Sequence, residues 1–194
     1  MSDKLPSIYL ARHGETAWSL SGQHTGRTDI PLTENGQRVA VQLGERMRGL
    51  KFAKVLTSPT QRARRTCELA GFGAGAEIVE DVAEWDYGQY EGRTSPEIHA
   101  ERPDWDLFRD GCPGGEAPAQ IGARARRVVE RLRAIGDDVA IFSSGHILRV
   151  LAAHWLGLET NVARYLLLST ASLSILSYEH NLSRPVLKLW NEVG

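Results

Sequence analysis

Two short apolar runs constrain this chain more than any other feature. Residues 7–11 (Ser-Ile-Tyr-Leu-Ala) and 139–142 (Val-Ala-Ile-Phe) have the length and continuity of buried strands. Strands buried on both faces belong to parallel sheets, whose crossover connections are helices. Helical spacing appears where such connections belong. Thr33 can cap a helix in which Val39, Leu43 and Met47 recur on one stripe, with Gly49 at its end. A second strand over 54–57 leads through Ser58-Pro59 into a helix over about 60–70, with Pro59 suited to its first turn. A helix over about 117–135 carries Ile121, Ala125, Val128, Val129 and Leu132 on one side, and another over 146–156 ends at Gly157. Residues 172–178 and 185–190 alternate apolar and polar as half-buried strands, with Asn181 in the turn between them. Strand and helix alternate, which predicts an α/β fold, a three-layer α/β/α sandwich with a mainly parallel sheet and one antiparallel strand near the C-terminus.

Two stretches lack a period. Residues 18–31 read as an ordered loop over the end of the first strand, and such loops carry function. Residues 71–120 read as an insertion over the active site, with a short helix capped by Ser95 that has Pro96 at its first position. No repeat or linker divides the chain, so residues 1–194 are expected to form a single domain. At 42% hydrophobic residues it can bury a sizeable core without staples.

Composition excludes several function classes. A formal net charge of −1 gives no general pull toward nucleic acid or an anionic membrane, so local arginine clusters must do any anion binding. Cys67 and Cys112 stand alone, without the spacing of a disulfide framework or a zinc site, and no HExxH or HxH pattern is present. Neither metal nor cofactor is expected. The N-terminal segment reaches charged sequence before a long apolar run could form, which makes a cytoplasmic protein the expectation. Its length and an exposed edge strand suit a monomer or homodimer.

Two of the strands end in an imidazole: Ala11 leads to Arg12-His13, and Phe142 leads through Ser143-Ser144-Gly145 to His146. Open α/β sheets bind ligands at the C-terminal ends of their strands. Arg62, one turn into the helix after a third strand end, can reach the same place, and helix N-termini add partial positive charge. A pocket of two arginines and two histidines fits a dianionic phosphate, whose oxygens guanidinium groups bind in pairs. His13 is then the nucleophile, while Arg12, Arg62 and His146 stabilise charge on the phosphoryl oxygens. Gly14 and Gly145 would let the backbone approach the phosphate. The implied partner is a small-molecule phosphate ester.

Five segments carry a resemblance: LARHGETAW (10–18), HTGRTDIPLTENG (24–36), LTSPTQRARRT (56–66), EWDYGQYEG (84–92) and SSGHILR (143–149). In this order they resemble the histidine phosphatase superfamily, the phosphoglycerate mutase-like proteins with an RHG motif. Within it the chain is most similar to yeast-type sedoheptulose-1,7-bisphosphatases and related bacterial sugar phosphatases. The resemblance implies a phosphohistidine on His13 and a general acid at Glu84, which then acts as base on the attacking water. Glu15 is a rival carboxylate, better suited to orienting Arg12 or capping the following turn. The implied phosphate- and substrate-binding set is Gly14, Ser19, Gln23, Thr25, Gly26, Arg93, Gly145 and Ile147. Ser19 stands where many members have Asn, as in the sedoheptulose-bisphosphatase-like branch. An inward-pointing Arg93, Arg109 or Arg27 would bind a second phosphate or a carboxylate. Trp105, Phe108 and Trp155 are expected to pack, and His24 to meet substrate hydroxyls. The leading expectation is a metal-independent phosphomonoesterase acting on a sugar phosphate or bisphosphate. A cofactor-dependent phosphoglycerate mutase is the alternative, and a non-catalytic phospho-ligand-binding module the second.

Overall fold

The computed structural model describes residues 4–194; Met1, Ser2 and Asp3, which open the segment expected to lack a leader, lie outside the described residues. Strands β1 (Ile8–Arg12), β2 (Lys54–Thr57), β3 (Glu77–Ile78), β4 (Val139–Ser143), β5 (Leu173–Tyr178) and β6 (Pro185–Glu192) form one sheet in the order β3-β2-β4-β1-β5-β6. Only β5 runs against its neighbours. The reason is chain length: β5 and β6 are joined by a short turn, which permits antiparallel pairing, whereas a parallel pair needs a long crossover. The crossovers belong to helices α1 (Ala17–Ser21), α2 (Glu34–Arg46), α3 (Gln61–Leu69), α4 (Ser95–Glu101), α5 (Leu107–Asp110), α6 (Pro118–Ile135) and α7 (Gly145–Trp155). Among the described residues no helix is long and apolar enough to cross a membrane.

The pleat decides which helix covers which face. Ile8, Leu10, Val139 and Ile141 share one cluster with Val128, Val129 and Leu132 of α6 and with Leu148, Leu151 and Trp155 of α7. The alternate residues Ala11, Ala140 and Phe142 meet Leu43 of α2 and Cys67 of α3 on the opposite face. Both faces are therefore covered, giving the expected three layers. Each large aliphatic or aromatic side chain so buried contributes roughly 1.5–3 kcal/mol.

Residues 71–120 are more ordered than their sequence suggests. β3 extends the sheet at its edge, a correction to the reading of this stretch as lying wholly over the sheet. Trp85, Tyr87, Trp105 and Phe108 form a third apolar cluster with Ile121 of α6 and Ile147 and Val150 of α7. The cap of α4 is Thr94 rather than Ser95: Thr94 Oγ1 accepts the Glu97 N–H while the Glu97 carboxylate accepts the Thr94 N–H. This reciprocal box satisfies two N–H groups at once, which a Ser95 cap would not. Thr60 precedes α3 as its N-cap, so Pro59 stands just before the helix instead of within its first turn. α1, β3 and α5 have five, two and four residues, too few to show a period.

Candidate active site

Helices α2 and α3 follow β1 and β2 onto one face, whereas α7 follows β4 onto the other. The chains leaving the neighbouring strands β1 and β4 thus diverge, and a crevice opens outside their C-terminal ends. Register sets Arg12 beside Ser143 and Thr57 beside Phe142. The His13 N–H donates to Ser143 O at 2.8 Å and the Ser58 N–H to Phe142 O at 2.9 Å, which ties three strand ends into a row. A cavity of about 450 Å³ lies there, and Arg12, His13, Ser19, Glu84, Gly145 and His146 reach its wall. That volume suits a small-molecule ligand.

His13 is almost fully buried, with Nδ1 2.7 Å from Gly14 O. A carbonyl oxygen only accepts, so Nδ1 carries the proton and Nε2 keeps its lone pair. Burial, then the charges of Arg12 and Arg62, hold the His13 pKa well below 6.5. The ring is neutral and its free nitrogen is nucleophilic. His146 Nδ1 lies 2.6 Å from Tyr87 Oη. Burial keeps the Tyr87 phenol protonated, and burial followed by Arg149 and other cations pushes His146 below its usual range. With the Tyr87 O–H donating to Nδ1, the ring proton of His146 sits on Nε2, the form that donates to an anion. Tyr87 as the partner of His146 was not legible in the sequence.

Arg12 donates from Nη1 to Leu168 O, and its buried Nε has no protein partner. A Cβ on Gly145 would stand 3.3 Å from that Nε, so Gly145 makes room for the guanidinium. Arg62 is fully buried behind the wall. Its Nη1 donates to Thr28 O at 3.0 Å and its Nη2 to Thr25 O and Gly26 O at 3.0 and 2.8 Å, while its Nε also lacks a partner. Arg62 therefore holds the 25–28 loop as well as adding charge near His13.

Gly14 has a packing role that sequence reasoning assigned to phosphate approach. Its N–H donates to Thr66 Oγ1 at 3.0 Å, and a Cβ there would stand 2.3 Å from Gly36 O. Gly14→Ala is expected to destabilise the fold by about 1–3 kcal/mol through this backbone clash. A denaturant midpoint equal to wild type would contradict that role.

Glu84 sits on the N-terminus of α7. Oε1 accepts the Trp85 and Ile147 N–H groups at 2.9 Å each, and Oε2 accepts the His146 N–H at 3.0 Å. It serves where Ser144 makes no side-chain cap bond, and it is through its backbone N–H that Ile147 meets this carboxylate. Glu15 accepts from Thr33 Oγ1 at 2.6 Å and Asn35 Nδ2 at 3.0 Å, which commits it to the start of α2.

The remaining expected ligands divide sharply. Ser19 lines the cavity, but its hydroxyl accepts the Thr16 N–H and donates to Thr16 O at 2.9 Å each, completing the capping box in which Thr16 caps α1. Gln23 and Thr25 also reach the wall. Gln23 Nε2 donates to Gly92 O at 2.7 Å and Thr25 Oγ1 to Gln23 O at 3.1 Å, so both brace the loop. The Gly26 N–H donates to the Glu91 carboxylate at 2.9 and 3.0 Å and is spent there. Arg93 pairs with Glu101 at 2.7 Å, Arg27 with Asp86 at 2.7 Å and Arg109 with Asp110 at 2.8 Å; none of the three lines the cavity. Arg149 and Arg164 do. Arg149 follows His146 by one turn on the same face of α7, a spacing visible in the sequence. Arg164 lies in a short 3-10 turn and carried no signal. Trp105, Phe108 and Trp155 are buried as expected, and burial pushes the cavity-facing His24 down to about 4.

Comparison with known proteins agrees with this fold. The sequence model of the histidine phosphatase superfamily (branch 1) matches residues 8–193. An acid phosphatase of Mycobacterium tuberculosis is 38% identical over 177 residues, covering 89% of this chain and 87% of the relative. The sedoheptulose 1,7-bisphosphatase of Saccharomyces cerevisiae is 33% identical over 255 aligned positions, covering 97% and 94%. A probable phosphoglycerate mutase of Erwinia tasmaniensis is 32% identical over 184 residues, covering 90% and 86%. The solved structure of a Mycobacterium tuberculosis open-reading-frame product superposes with a TM-score of 0.91 at 36% identity, over 97% of this chain and 98% of that one. Since the family pattern runs from β1 through β6 and the relatives share the fold over nearly its whole length, the chain belongs to the histidine phosphatase superfamily.

Proposed function

We propose that this chain is a metal-independent phosphomonoesterase that hydrolyses a small sugar phosphate or sugar bisphosphate through a phosphohistidine on His13. The observation that carries the reading is the Nδ1–H bond of His13 to Gly14 O at 2.7 Å, which leaves Nε2 as a nucleophile in a cavity bordered by cationic groups. The relatives' names, an acid phosphatase and a sugar bisphosphatase, support it.

In the first step the Nε2 lone pair attacks phosphorus, the N–P bond forms and the ester P–O bond breaks. The leaving alkoxide takes a proton from Glu84 Oε2, the oxygen that accepts one N–H where Oε1 accepts two. Positive charge on the phosphorylated ring is stabilised by Gly14 O. Equatorial oxygens accept from Arg12 and from His146 Nε2–H, and Arg62 supports them from behind. Buried donors without partners, as at the Arg12 and Arg62 Nε atoms, cost about 1–3 kcal/mol each and are rare in folded proteins. A bound phosphate supplies an acceptor to Arg12, which lines the cavity, whereas Arg62 lies behind its wall. In the second step the Glu84 carboxylate takes a proton from water as the water oxygen bonds to phosphorus, the N–P bond breaks, and orthophosphate leaves.

Phosphate release measured in strong chelator across sugar phosphates, phosphoglycerates and nucleotides, with His13→Ala as blank, tests the reading. Turnover confined to metal-supplemented enzyme would overturn it. Glu84→Gln is expected to slow an alkyl phosphate by about 100-fold to 10,000-fold and p-nitrophenyl phosphate far less, because nitrophenolate needs no proton. Some loss common to both is expected, since the glutamine amide must face an N–H that the carboxylate accepted. Equal losses would make Glu84 a positioning residue only. Relatives called probable phosphoglycerate mutases keep a second reading in view. Isomerisation of 3-phosphoglycerate that needs 2,3-bisphosphoglycerate and outruns phosphate release would establish it.

A further inference from the structure

Helix α7 has two groups able to cap its N-terminus and uses only one. Ser144 holds the N-cap position with extended backbone angles, φ −113° and ψ 170°, the geometry in which a serine hydroxyl accepts the second or third N–H of a helix. Those N–H groups belong to His146 and Ile147, and both donate to Glu84 instead. The Ser144 side chain is fully buried, yet among the described residues its Oγ has no partner. Neighbouring Ser143 is equally buried and donates to Val82 O. The other buried hydroxyl without a partner among the described residues is that of Ser172, which opens no helix. A buried hydroxyl left unpaired beside a bond it could make forfeits stability, and such groups are rare in folded proteins.

Glu84 must occupy two states. As a carboxylate it accepts three backbone N–H groups, from Trp85 and Ile147 on Oε1 and from His146 on Oε2. As the acid that protonates a leaving alkoxide it carries a proton on Oε2, while Oε1 keeps its carbonyl character and its two donors. The His146 N–H alone then loses a charge-assisted bond. One donor is displaced, and one unused acceptor stands at the N-cap two residues before it.

We infer that Ser144 is a positioning residue for the acid: when Oε2 binds its proton the Ser144 side chain turns into the cap rotamer and Oγ accepts the His146 N–H, which returns to Oε2 when the proton passes to the leaving group. The only covalent change is at Oε2, where an O–H bond forms or breaks; the backbone N–H keeps its hydrogen and changes acceptor. A turn between staggered χ1 wells is enough for a serine. The inference rests on the phosphatase reading for the task of the proton, and adds to it a residue that keeps the start of α7, and with it His146, in place through both halves of the reaction.

Glutamine imitates the protonated acid, because its amide keeps one accepting oxygen and presents donors where Oε2 stood. Denaturant midpoints at neutral pH therefore read the cap without turnover. Ser144→Ala is expected to leave the midpoint of wild type unchanged or slightly raised, since there the hydroxyl has no bond to lose. In the Glu84→Gln background the same change is expected to lower the folding equilibrium by about 2-fold to 30-fold, the range of one N-cap bond. Equal changes in the two backgrounds would make Ser144 a packing residue and overturn the inference. Ser144→Cys nearly keeps the volume and offers only a weak acceptor, so it should follow the alanine pattern without opening a cavity. In turnover, Ser144→Ala and Ser144→Cys should slow glycerol 1-phosphate by about 2-fold to 30-fold, in kcat rather than KM, and p-nitrophenyl phosphate far less, because only the alkyl ester needs the protonated acid. Equal slowing of both esters, or of neither, would overturn the inference. Lack of phosphate release by wild type from either ester would overturn the phosphatase reading instead, leaving the stability comparison to decide the cap.

Discussion

Replacing His13 by Ala is expected to lower phosphate release by about 10,000-fold or more, because no other group offers phosphorus a neutral lone pair in that position. Rapid quenching of wild type with a phosphate-labelled ester should trap acid-labile phosphoprotein, and the variant should trap none. A pH signature accompanies this loss. The folded-state pKa of His13 lies well below 6.5, pushed down by burial and then by Arg12 and Arg62. As pH falls below about 6.5 the unfolded chain binds this proton while the folded chain does not. The contribution of neutral His13 to stability is thus complete above that pH and lost progressively below it. His13→Ala removes that dependence, so its denaturant midpoint should fall less than that of wild type between about pH 7 and pH 5. Parallel falls would mean that His13 is protonated in the fold, contradicting a neutral nucleophile.

Arg62→Met is expected to reduce kcat/KM by about 100-fold to 1,000-fold, in the range found when one preorganised donor to a developing charge is removed. Two effects combine in this loss. The side chain satisfies three carbonyls in the 25–28 loop, and each left unpaired costs about 1–3 kcal/mol. The side chain is also one of the cations that lower the His13 pKa. Without its charge His13 protonates at higher pH, so the acid limb of kcat/KM should move up toward 6.5. Arg62→Lys keeps the charge but not the fork, and should hold the limb near its wild-type position while loosening the loop. A Met variant that is slow but shows an unmoved limb would confine Arg62 to holding the loop.

The parts of the fold legible in the sequence were those with a period. β1 and β4 showed as continuous apolar runs, and α2 and α6 as stripes, since burial on one or both faces leaves that trace; α3 and α7 were placed by the turns that bound them. α1, β3 and α5 left none: each is short, and Ile78 of β3 lies 53% exposed at the sheet edge. The reading of Thr94-Ser95-Pro96 missed the true cap by one residue because both Thr and Ser can serve, and only the reach of Glu97 back to Thr94 decides between them.

Residue type and order at the strand ends, read from sequence alone, determined the chemistry proposed for this protein: Arg12-His13 after one buried strand, Gly145-His146 after another, and Arg62 at the start of a helix. Burial follows local apolar patterning and strand direction follows the length of the connection, so the placement of these groups could be inferred before any contact was known. Side-chain partners were decided only by the tertiary structure. Arg27, Arg93 and Arg109 are alike in sequence to arginines that bind substrate, yet each is turned aside by an acidic residue. Gly14, Gly26 and Ser19 likewise spend their freedom on Gly36, Glu91 and Thr16. Tyr87, Arg149 and Arg164 reach the cavity because the cluster around Trp105 and Phe108 packs against α7. Hydrogen bonds and ion pairs act over a few ångströms between atoms far apart in the chain, and such proximity exists only after the apolar faces have chosen how to pack.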